Sequence, residues 1–263
     1  MAGLGLRTAF AGKVGQDGYG QLASDTLASY GVDLSHLIVD PAIQTGITVS
    51  MSAKDNSDRA MVTYLGAINA LRAEEISPAL FEKTRHIHVG SFFLQSALRP
   101  GLADLFRAAH RAGVTTSLDA GWDDTGVWDY GLHDVLKETD VFLPNELEAA
   151  AITGKKDVAE AAKTLSEWCR ICTVKCGGDG AVSASAGQVY RAATYAAPVR
   201  DTTGAGDSFN AGFLYAFLAG KSIEEALCYG NACGSLSVAR LGGASSCPKL
   251  HEAEAVIRNG RVE

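Results

Sequence analysis

One stretch of the sequence combines the residue types that the chemistry of phosphate groups requires. Within Asp201–Phe213, a polar loop containing Gly204, Ala205 and Gly206 runs into an apolar segment with the pattern of a buried helix. Small residues let the backbone approach a ligand, and amides at a helix N terminus attract an anion because the helix dipole is positive there. Asp207 falls in the first turn of that helix, within reach of a hydroxyl held beside a bound phosphate. A carboxylate base next to an anion site is the pairing that phosphoryl transfer to an alcohol requires.

A purely structural interpretation of the same residues stands beside this one. Thr202, Thr203 and Asp207 are also residue types that cap a helix and complement its dipole. Capping chemistry alone supports the two interpretations equally.

The composition of the chain indicates a sizeable hydrophobic core and argues against some classes of partner. Of its 263 residues, 47% are hydrophobic, and we expect one α/β domain rather than two small ones. The net charge of -7 argues against non-specific attraction to nucleic acid or an anionic membrane, because both require a basic surface. Neither an apolar run of the roughly 20 residues of a membrane helix nor a signal peptide pattern is present, so we expect a cytoplasmic protein.

The six cysteines are too sparse for a disulfide scaffold in a chain of this length. Cys169, Cys172 and Cys176 are close enough to raise the question of a metal site, but a fourth ligand at a suitable spacing is missing. We therefore expect thiols that pack at a helix end and in the next strand.

Apolar stretches alternate with segments of helical periodicity along most of the chain. Helices are predicted at Gly101–Ala112 and Val158–Cys169. Strands are predicted at Thr8–Val14, His86–Val89, Thr115–Leu118, Val141–Leu143, Ile171–Lys175 and Ala181–Ser185. Because these strands are continuously apolar, the pattern favours a mostly parallel sheet with helices on both faces, a three-layer α/β/α sandwich.

One region departs from this alternation. Thr45–Ala53 and Ala60–Leu65 have the pattern of two strands, and residues 54–59 between them are turn formers, which predicts a β-hairpin. We interpret residues 42–70 as a small flap attached to a single domain that spans residues 1–263, since the sequence contains no repeat or long linker.

The run from Asp201 to Asp207 and its apolar continuation resemble the C-terminal signature of the ribokinase-like (PfkB) sugar kinases. Gly12–Gly20, followed by Gly31-Val32-Asp33, is similar to the N-terminal signature of the same family. The resemblance covers essentially the whole chain and implies a ribokinase-like fold in which the flap acts as a lid. It also implies ATP-dependent phosphorylation of a sugar hydroxyl, with Asp207 as the base and the Gly204–Gly206 amides around the γ-phosphate.

The resemblance further implies a magnesium site. Phe142–Glu148 resembles the family element whose Asn and Glu organise Mg²⁺ and the phosphates, and these residues are Asn145 and Glu148 here. Residues three apart share a helix face, so both could act on one hydrated Mg²⁺. The alternative is a helix start whose acidic residues complement its dipole.

Two other stretches resemble nucleotide-binding elements of the family. Val174–Ala181 is similar to the strand and glycine-rich turn beside the phosphates, with Gly177 and Gly180 in the turn and Thr202 in the opposing loop. Lys175 departs from the small polar residue that is common at its position, and it could either give a cation to the phosphates or cap the strand and face water.

Tyr229–Ser235 resembles the helix that lines the adenine pocket. Its Asn231 is then expected to face the nucleotide, and the alternative is an amide on a solvated helix face. Asp201 and Thr203, with the loop Arg240–Ala244, lie where many family members bind potassium.

For the acceptor pocket, the sequence offers Asn69, Ser91 and Gln95 as hydroxyl-binding side chains. Core packing explains the neighbouring Phe92 and Phe93 at least as well as substrate contact does. The lack of an obvious Arg/Lys cluster in these segments mildly favours an uncharged sugar or nucleoside over a sugar phosphate.

The chain departs from the family pattern at its start. Family members ordinarily open with a strand that ends in a substrate-binding Asp, followed by Gly-Gly-x-x-Asn, whereas residues 1–6 here resemble the end of the next helix. We therefore expect that a strand and helix of roughly 30 residues are missing. A member shortened in this way could be a catalytically weak or silent binding protein, and a nucleoside kinase is the other alternative.

A dinucleotide-dependent dehydrogenase is rejected, because Phe209 occupies the place of the third glycine of that motif. The expected partners are ATP and a small sugar, and a second copy of the chain could pair through the flap.

Overall fold

The computed structural model describes residues 1–52, 59–244 and 247–262. The strands in these ranges are β1 (Gly12–Gly15), β2 (Leu37–Asp40), β3 (Ile47–Ser52), β4 (Arg59–Tyr64), β5 (His86–Val89), β6 (Thr115–Leu118), β7 (Val141–Phe142), β8 (Ile171–Lys175), β9 (Ala181–Ser185) and β10 (Gln188–Ala192). The α-helices are α1 (Gly18–Ser29), α2 (Arg99–Arg111), α3 (Leu132–Leu136), α4 (Glu146–Thr153), α5 (Val158–Leu165), α6 (Ala205–Leu218), α7 (Ile223–Val238) and α8 (Leu250–Asn259). Short 3-10 helices cover Ala2–Leu4, Gly66–Asn69, Ala73–Glu75, Pro78–Lys83, Phe92–Leu94 and Gly177–Asp179.

The central sheet has six strands in the order β10-β9-β8-β7-β6-β5. Strands β5 to β8 pair in parallel, and β9 and β10 add an antiparallel hairpin at one edge. The carboxyl ends of β6 and β8 therefore open onto the same edge of the sheet, where ligands of open α/β sheets usually bind. The prediction of a mostly parallel sheet is confirmed.

Alternate side chains of the central strands enter two different hydrophobic cores. Leu118, Phe142 and Val174 pack with residues of α2 and α5 on one face. Val141, Leu143, Ile171 and their neighbours pack with α6 and α7 on the other face. Helices thus cover both faces of the sheet, and the predicted three-layer α/β/α sandwich is confirmed.

Strand β1 does not join the central sheet. The predicted strand Thr8–Val14 is a regular strand only from Gly12 to Gly15, and it pairs in parallel with β2 in a separate two-stranded sheet. Upstream, Ala9 forms only an isolated bridge to Asp33. Strand β2 was not predicted, because a half-buried run of four residues carries little periodicity of its own.

The flap is an antiparallel hairpin of β3 and β4, as predicted. Its register pairs Ile47 with Tyr64 and Val49 with Val62, so these apolar side chains share one face. Val49, Val62 and Tyr64 are more than half exposed, at 56%, 62% and 54%. Of the predicted turn, residues 54–58 lie outside the described residues.

The predicted helices are present with shifted ends. Helix α2 begins two residues before the predicted Gly101, and α5 ends at Leu165 rather than Cys169. Cys169, Cys172 and Cys176 are all buried, and burial raises the pKa of the Cys169 thiol to about 12. These thiols therefore pack as small apolar groups. Among the described helices, none has the length and apolar character to cross a membrane.

Candidate active site

The N terminus of α6 is built from a tight loop that requires glycine. Gly204 is the residue before the helix and has a φ of 74°. A Cβ atom on Gly204 would lie 2.8 Å from the carbonyl oxygen of Gly243. The first hydrogen bond of the helix runs from the Ser208 amide to the Gly204 carbonyl, so the amides before Ser208 have no acceptor within the helix.

The structure refines the predicted anion site in one respect. The Ala205 amide donates a 3.3 Å hydrogen bond to the Thr202 carbonyl, which commits it to the turn. Of the three predicted amides, those of Gly204 and Gly206 remain as donors at the positive end of the helix dipole.

Asp207 is the third residue of α6, and its side chain is exposed at the surface. Loss of hydration beside the surrounding protein raises the pKa of Asp207 above its ordinary value, and the nearby Asp119 carboxylate raises it further. Lys175 acts in the opposite direction and lowers this pKa. The carboxyl group is accessible to a substrate and has an increased affinity for a proton. Both properties suit a general base.

Asp201 joins the two segments in which a potassium site was predicted. Its Oδ1 atom accepts a hydrogen bond from the Thr203 amide, and its Oδ2 atom accepts one from the Gly242 amide at 3.0 Å. The loop before α6 and the loop at residues 240–244 are therefore adjacent, as the resemblance implied. Potassium binding at Asp201 and Thr203 stays a prediction.

Lys175, at the end of β8, does not face water. Its Nζ atom lies 2.6 Å from Asp119 Oδ2 and 3.2 Å from Asn210 Oδ1, and its side chain is only 13% exposed. The interpretation of Lys175 as a solvated strand cap is therefore wrong. The ammonium group lies beside Gly206, because a Cβ atom on that glycine would be 3.6 Å from Nζ.

Sequence analysis missed Asp119 and Asn210, the two partners of Lys175. Both are buried, with Asp119 directly after β6 and Asn210 one turn beyond Asp207 on α6. A polar residue directly after a buried parallel strand is a signal that could have identified Asp119, because such positions line the ligand-binding edge of the sheet.

Asn145 and Glu148 form a reciprocal cap at the start of α4. The Glu148 amide donates to Asn145 Oδ1 at 2.9 Å, and the Asn145 amide donates to Glu148 Oε2 at 2.8 Å. Asn145 is the residue before the helix, with extended backbone, so the expectation that both lie on one helix face is wrong. The structural alternative thus accounts for these contacts, and a magnesium role stays a prediction.

The donor set at this edge of the sheet nevertheless fits a cation. Burial and the Asp119 carboxylate raise the pKa of Glu148 to about 7, and Asp119 also raises the pKa of Asp207. Mutual repulsion of this kind among carboxylates is relieved by a divalent ion. The described residues contain no cluster of three or more acidic, His or Cys ligands, so Mg²⁺ would be held mainly through water and phosphate.

The glycine-rich turn between β8 and β9 has backbone conformations that favour glycine. Gly177 and Gly180 have φ values of 52° and 90°. A Cβ atom on Gly180 would lie 2.1 Å from the Ala192 carbonyl oxygen, so this glycine is required by packing. A contact of Gly177 or Gly180 with phosphates stays a prediction.

Asn231 is buried within α7, with 3% of its surface exposed. Its Nδ2 atom donates to the carbonyl oxygens of Ala192 and Ala193 at 3.0 and 3.1 Å. The alternative of a solvated surface amide is therefore wrong. Both amide protons hold the chain that leaves β10, so any contact with a nucleotide would be made by other atoms.

The predicted acceptor residues border one segment after β5. The Ala97 amide donates to the Asn69 carbonyl, and Gln95 lies in the same turn. Ser91 has a φ of 54° and packs against Gly121, two residues after Asp119. All three residues are half-buried, and Ser91 lies at the ends of β5 and β6.

Phe92 and Phe93 fill the core rather than the pocket. Their exposed fractions are 0% and 7%, and their rings contact each other edge to face. The core-packing alternative accounts for both residues.

A concavity of about 480 Å³ lies between α1 and the flap. Its lining includes Asp17, Tyr19, Leu22 and Tyr64. Another, of about 190 Å³, lies beside β2, and its lining includes Leu37 and Leu71. Asp207 lines neither of these two concavities.

Comparisons with known proteins bear on the whole chain. A family model described as pfkB family carbohydrate kinase matches residues 1–250. An ATP-dependent ribose-1-phosphate kinase of Halopiger xanaduensis is 34% identical over 246 residues, covering 94% of this chain and 79% of that protein. A 5-dehydro-2-deoxygluconokinase of Halalkalibacterium halodurans is 27% identical over 271 residues, covering 97% of this chain and 81% of that protein.

Solved structures share the fold over nearly the full length. A protein assigned as ribokinase II from E. coli, in complex with ATP and Mg²⁺, has a TM-score of 0.88 at 26% identity, covering 98% of this chain and 85% of that one. Arabidopsis thaliana ribokinase complexed with ribose and ATP has a TM-score of 0.84 at 26% identity, covering 98% and 84%. With the sandwich fold and the Asp207 site, these matches show that the chain belongs to the pfkB family of carbohydrate kinases, phosphotransferases with an alcohol group as acceptor.

Proposed function

We propose that this protein uses ATP to phosphorylate a hydroxyl group of a small sugar or sugar-like molecule, as ribokinases and fructokinases do. The observation that carries the proposal is the placement of Asp207. Its exposed carboxylate, with a raised pKa, stands in the first turn of α6, one residue from the Gly206 amide. A base and an anion site are thus combined on one helix turn.

In the proposed reaction, Asp207 removes the proton from the acceptor hydroxyl as the oxygen attacks the γ-phosphorus in line with the leaving ADP. The amides of Gly204 and Gly206 bind the phosphate oxygens and stabilise their charge. A proton acceptor positioned in this way is typically worth about 10²- to 10⁴-fold in rate. The raised pKa of Asp207 favours acceptance of the proton.

Several side chains are proposed to bind the nucleotide and its ions. Lys175, Gly177, Gly180, Thr202 and Asn231 belong to the elements proposed to surround the nucleotide. Glu148 and Asn145 would hold Mg²⁺, which when bound supplies positive charge to the phosphate oxygens. Asp201 and Thr203 are the proposed potassium ligands.

For the acceptor, Asn69, Ser91 and Gln95 are the proposed hydroxyl-binding residues. All three side chains are uncharged, which favours a neutral sugar over a sugar phosphate. The names of the relatives point to both kinds of substrate, since one is a ribose-1-phosphate kinase and another a 5-dehydro-2-deoxygluconokinase. A nucleoside acceptor is the second candidate, favoured by the fold of a Sinorhizobium meliloti adenosine kinase, with a TM-score of 0.85 at 25% identity.

The flap is proposed to act as a lid and a dimer contact within one kinase domain that spans residues 1–263. A lid over the acceptor would exclude water, which otherwise hydrolyses ATP. The exposed apolar face with Val49, Val62 and Tyr64 supports pairing with a second copy of the flap, because a lone hairpin is marginally stable in water.

The test is ADP release by the protein with Mg²⁺ and potassium, across ribose, fructose, other hexoses, their phosphates, 5-dehydro-2-deoxygluconate and adenosine. Asp207→Asn is the control. We expect one acceptor class to stimulate ADP release and the variant to lose that stimulation while it still binds ATP.

Full turnover by the Asp207→Asn protein would refute the proposed role of the base. Silence across the panel from a folded protein that binds ATP would favour the catalytically silent alternative.

A further inference from the structure

Lys175, Asp119 and Asn210 form a closed triangle of hydrogen bonds. Lys175 Nζ donates to Asp119 Oδ2 at 2.6 Å and to Asn210 Oδ1 at 3.2 Å. Asn210 Nδ2 donates to the same Asp119 oxygen at 2.7 Å. The Asn210 amide can satisfy both contacts in only one orientation, so the triangle fixes the relative positions of the ends of β6 and β8 and the first turns of α6.

The Asp119 carboxylate is held at both oxygen atoms. Oδ2 accepts the two side-chain hydrogen bonds, and Oδ1 accepts a 3.0 Å hydrogen bond from the Gly121 amide. Gly121 has a φ of 66°, and a Cβ atom on it would lie 2.8 Å from the Ser91 Cα atom. Asp119 is therefore anchored by a loop that also contacts a proposed acceptor residue, and it has little freedom to follow Lys175 if the lysine moves.

The lysine ammonium group has a remaining donor beside the anion site. An ammonium has three N–H donors, and the two contacts of the triangle account for two of them. Gly206, whose amide is one of the proposed phosphate donors, lies beside the same ammonium group. A Cβ atom on Gly206 would be 3.6 Å from Lys175 Nζ. The remaining donor is thus next to the place proposed for the γ-phosphate.

The charge balance makes this cation important. The Asp119 carboxylate raises the pKa of both Glu148 and Asp207, and Lys175 lowers the pKa of both. Lys175 is therefore the side-chain cation that offsets three carboxyl groups where a polyanionic nucleotide would bind. Buried ion pairs contribute little net stability, since their attraction is offset by the loss of hydration, so stability alone is a weak reason for this one.

We propose that Asp119, oriented by Asn210, is a positioning residue that holds the Lys175 ammonium beside Gly206 so that it contacts the terminal phosphate of ATP. The inference rests on the proposed function, because it needs ATP at the N terminus of α6. It adds a specific consequence, which is that Asp119 acts on ATP through Lys175 and acts little on ADP.

A second ion pair of a buried lysine provides a control elsewhere in the chain. Lys13 Nζ lies 2.6 Å from Glu75 Oε1, and the Lys13 side chain is 8% exposed. This pair has the same bond length as Lys175 and Asp119, but it joins β1 to the 3-10 helix at residues 73–75, and Lys13 also donates to the Ala70 carbonyl. Glu75 itself is more exposed, at 29%, so Glu75→Gln removes the carboxylate partner of a buried lysine without touching the proposed ATP site.

The experiment measures ATP and ADP dissociation constants by calorimetry with Mg²⁺ for the unaltered protein and for Asp119→Asn, Lys175→Met, the double variant and Glu75→Gln. Thermal melting of each protein is measured in parallel. We expect Asp119→Asn and Lys175→Met each to weaken ATP binding about 10- to 100-fold, as for loss of a hydrogen bond between charged groups, with ADP binding nearly unchanged. The double variant should bind ATP no more weakly than Lys175→Met alone.

Equal weakening of ATP and ADP binding by Asp119→Asn, or the same ATP-specific loss in Glu75→Gln, would overturn the proposal. Additive effects in the double variant would show that Asp119 does not act through Lys175 and would overturn it as well. If Lys175→Met fails to fold because Asp119 is left buried without a cation, Lys175→Gln combined with Asp119→Asn replaces it, and the same ATP-to-ADP comparison applies. The proposed function has a separate test, since an Asp207→Asn protein with full turnover would refute the base and leave these binding ratios intact.

Discussion

The backbone of Gly204 lies directly against the Gly243 carbonyl group, with room for a hydrogen atom but not for a side chain. A Cβ atom at this position would be 2.8 Å from the carbonyl oxygen and 3.0 Å from the Gly243 Cα atom. The N terminus of α6 thus packs directly against the loop at residues 240–244. The same loop is bonded to Asp201 through the Gly242 amide.

Gly204→Ala is expected to lower both stability and activity. Gly204 has a φ of 74°, and Gly220 at the other end of α6 has a φ of 72° but open space around it. Gly220→Ala therefore measures the conformational cost alone, about 1–2 kcal/mol, and Gly204→Ala should cost at least about 1 kcal/mol more because of the steric conflict. Denaturant unfolding of the two variants checks the difference. Equal stabilities would show that the loop at Gly243 can move to accommodate the added methyl group without a loss of stability.

The pH dependence of turnover should reflect Asp207. The reaction requires the ionised carboxylate, so kcat/KM should fall as the pH falls through the pKa of Asp207, and that pKa lies above the ordinary value of 3.8. Lys175→Met removes the cation that lowers the pKa of Asp207, so the acid limb of its profile should shift to higher pH. Profiles measured in brief pH-jump assays test both statements, and a limb at or below 3.8 in the unaltered protein would contradict them.

Two histidines of β5 should make folding stability dependent on pH. His86 contacts Thr115 and Ser117, and His88 contacts the same Ser117 hydroxyl. Burial lowers the pKa of His86 to about 3 and that of His88 to about 4, from an ordinary value of 6.5. Below pH 6.5 the unfolded chain therefore binds more protons than the folded chain. The contribution of the two neutral histidines to folding stability is fully present above pH 6.5 and is lost as the pH falls toward 4 and 3.

Between pH 7 and pH 5, each histidine is expected to lower the free energy of unfolding by roughly 2 kcal/mol. Urea unfolding at pH 7 and pH 5 measures it. His86→Gln should reduce the difference in unfolding free energy between the two pH values, whereas an unchanged difference would show that His86 is protonated in the folded protein.

The apolar face of the flap predicts the behaviour of two matched substitutions. Val62 pairs with Val49 on the apolar face, and Thr63 pairs with Thr48 on the opposite face. Val62→Lys should convert a dimer into a monomer in sedimentation experiments, because it places a charge in the proposed contact. Thr63→Lys adds the same charge on the other face and should leave the dimer intact. A monomer at all concentrations in the unaltered protein would refute the proposed contact.

Local patterns were sufficient for four strands of the central sheet. His86–Val89, Thr115–Leu118, Ile171–Lys175 and Ala181–Ser185 begin and end where the sequence predicted. Strands β6, β8 and β9 are almost wholly buried between the helical layers, where small or apolar side chains are required, and β5 at the edge of the sheet is half-buried. Gly204 and Asp207 were equally accessible to sequence reasoning, because a helix start after a glycine-rich loop is a local event.

The triangle of Lys175, Asp119 and Asn210 was not accessible in this way. Lys175 and Asp119 are 56 positions apart in the chain, and Asp119 and Asn210 are 91 positions apart. Their partnership depends on the pairing of β6, β7 and β8 and on the packing of α6 against that sheet. The sequence offered Lys175 two roles, and only the folded contacts exclude the exposed one.

Strand β7 is only two residues long, yet its two side chains separate the hydrophobic layers. Val141 belongs to the core under α6 and α7, and Phe142 belongs to the core under α2 and α5. Because β7 contributes a side chain to each core, loss of packing in one core would also disturb the other. We therefore expect the layers to melt in one cooperative transition, with equal calorimetric and van't Hoff enthalpies. On this view, a cavity made far from Asp207 lowers the population of competent molecules without altering the chemistry of those that remain folded.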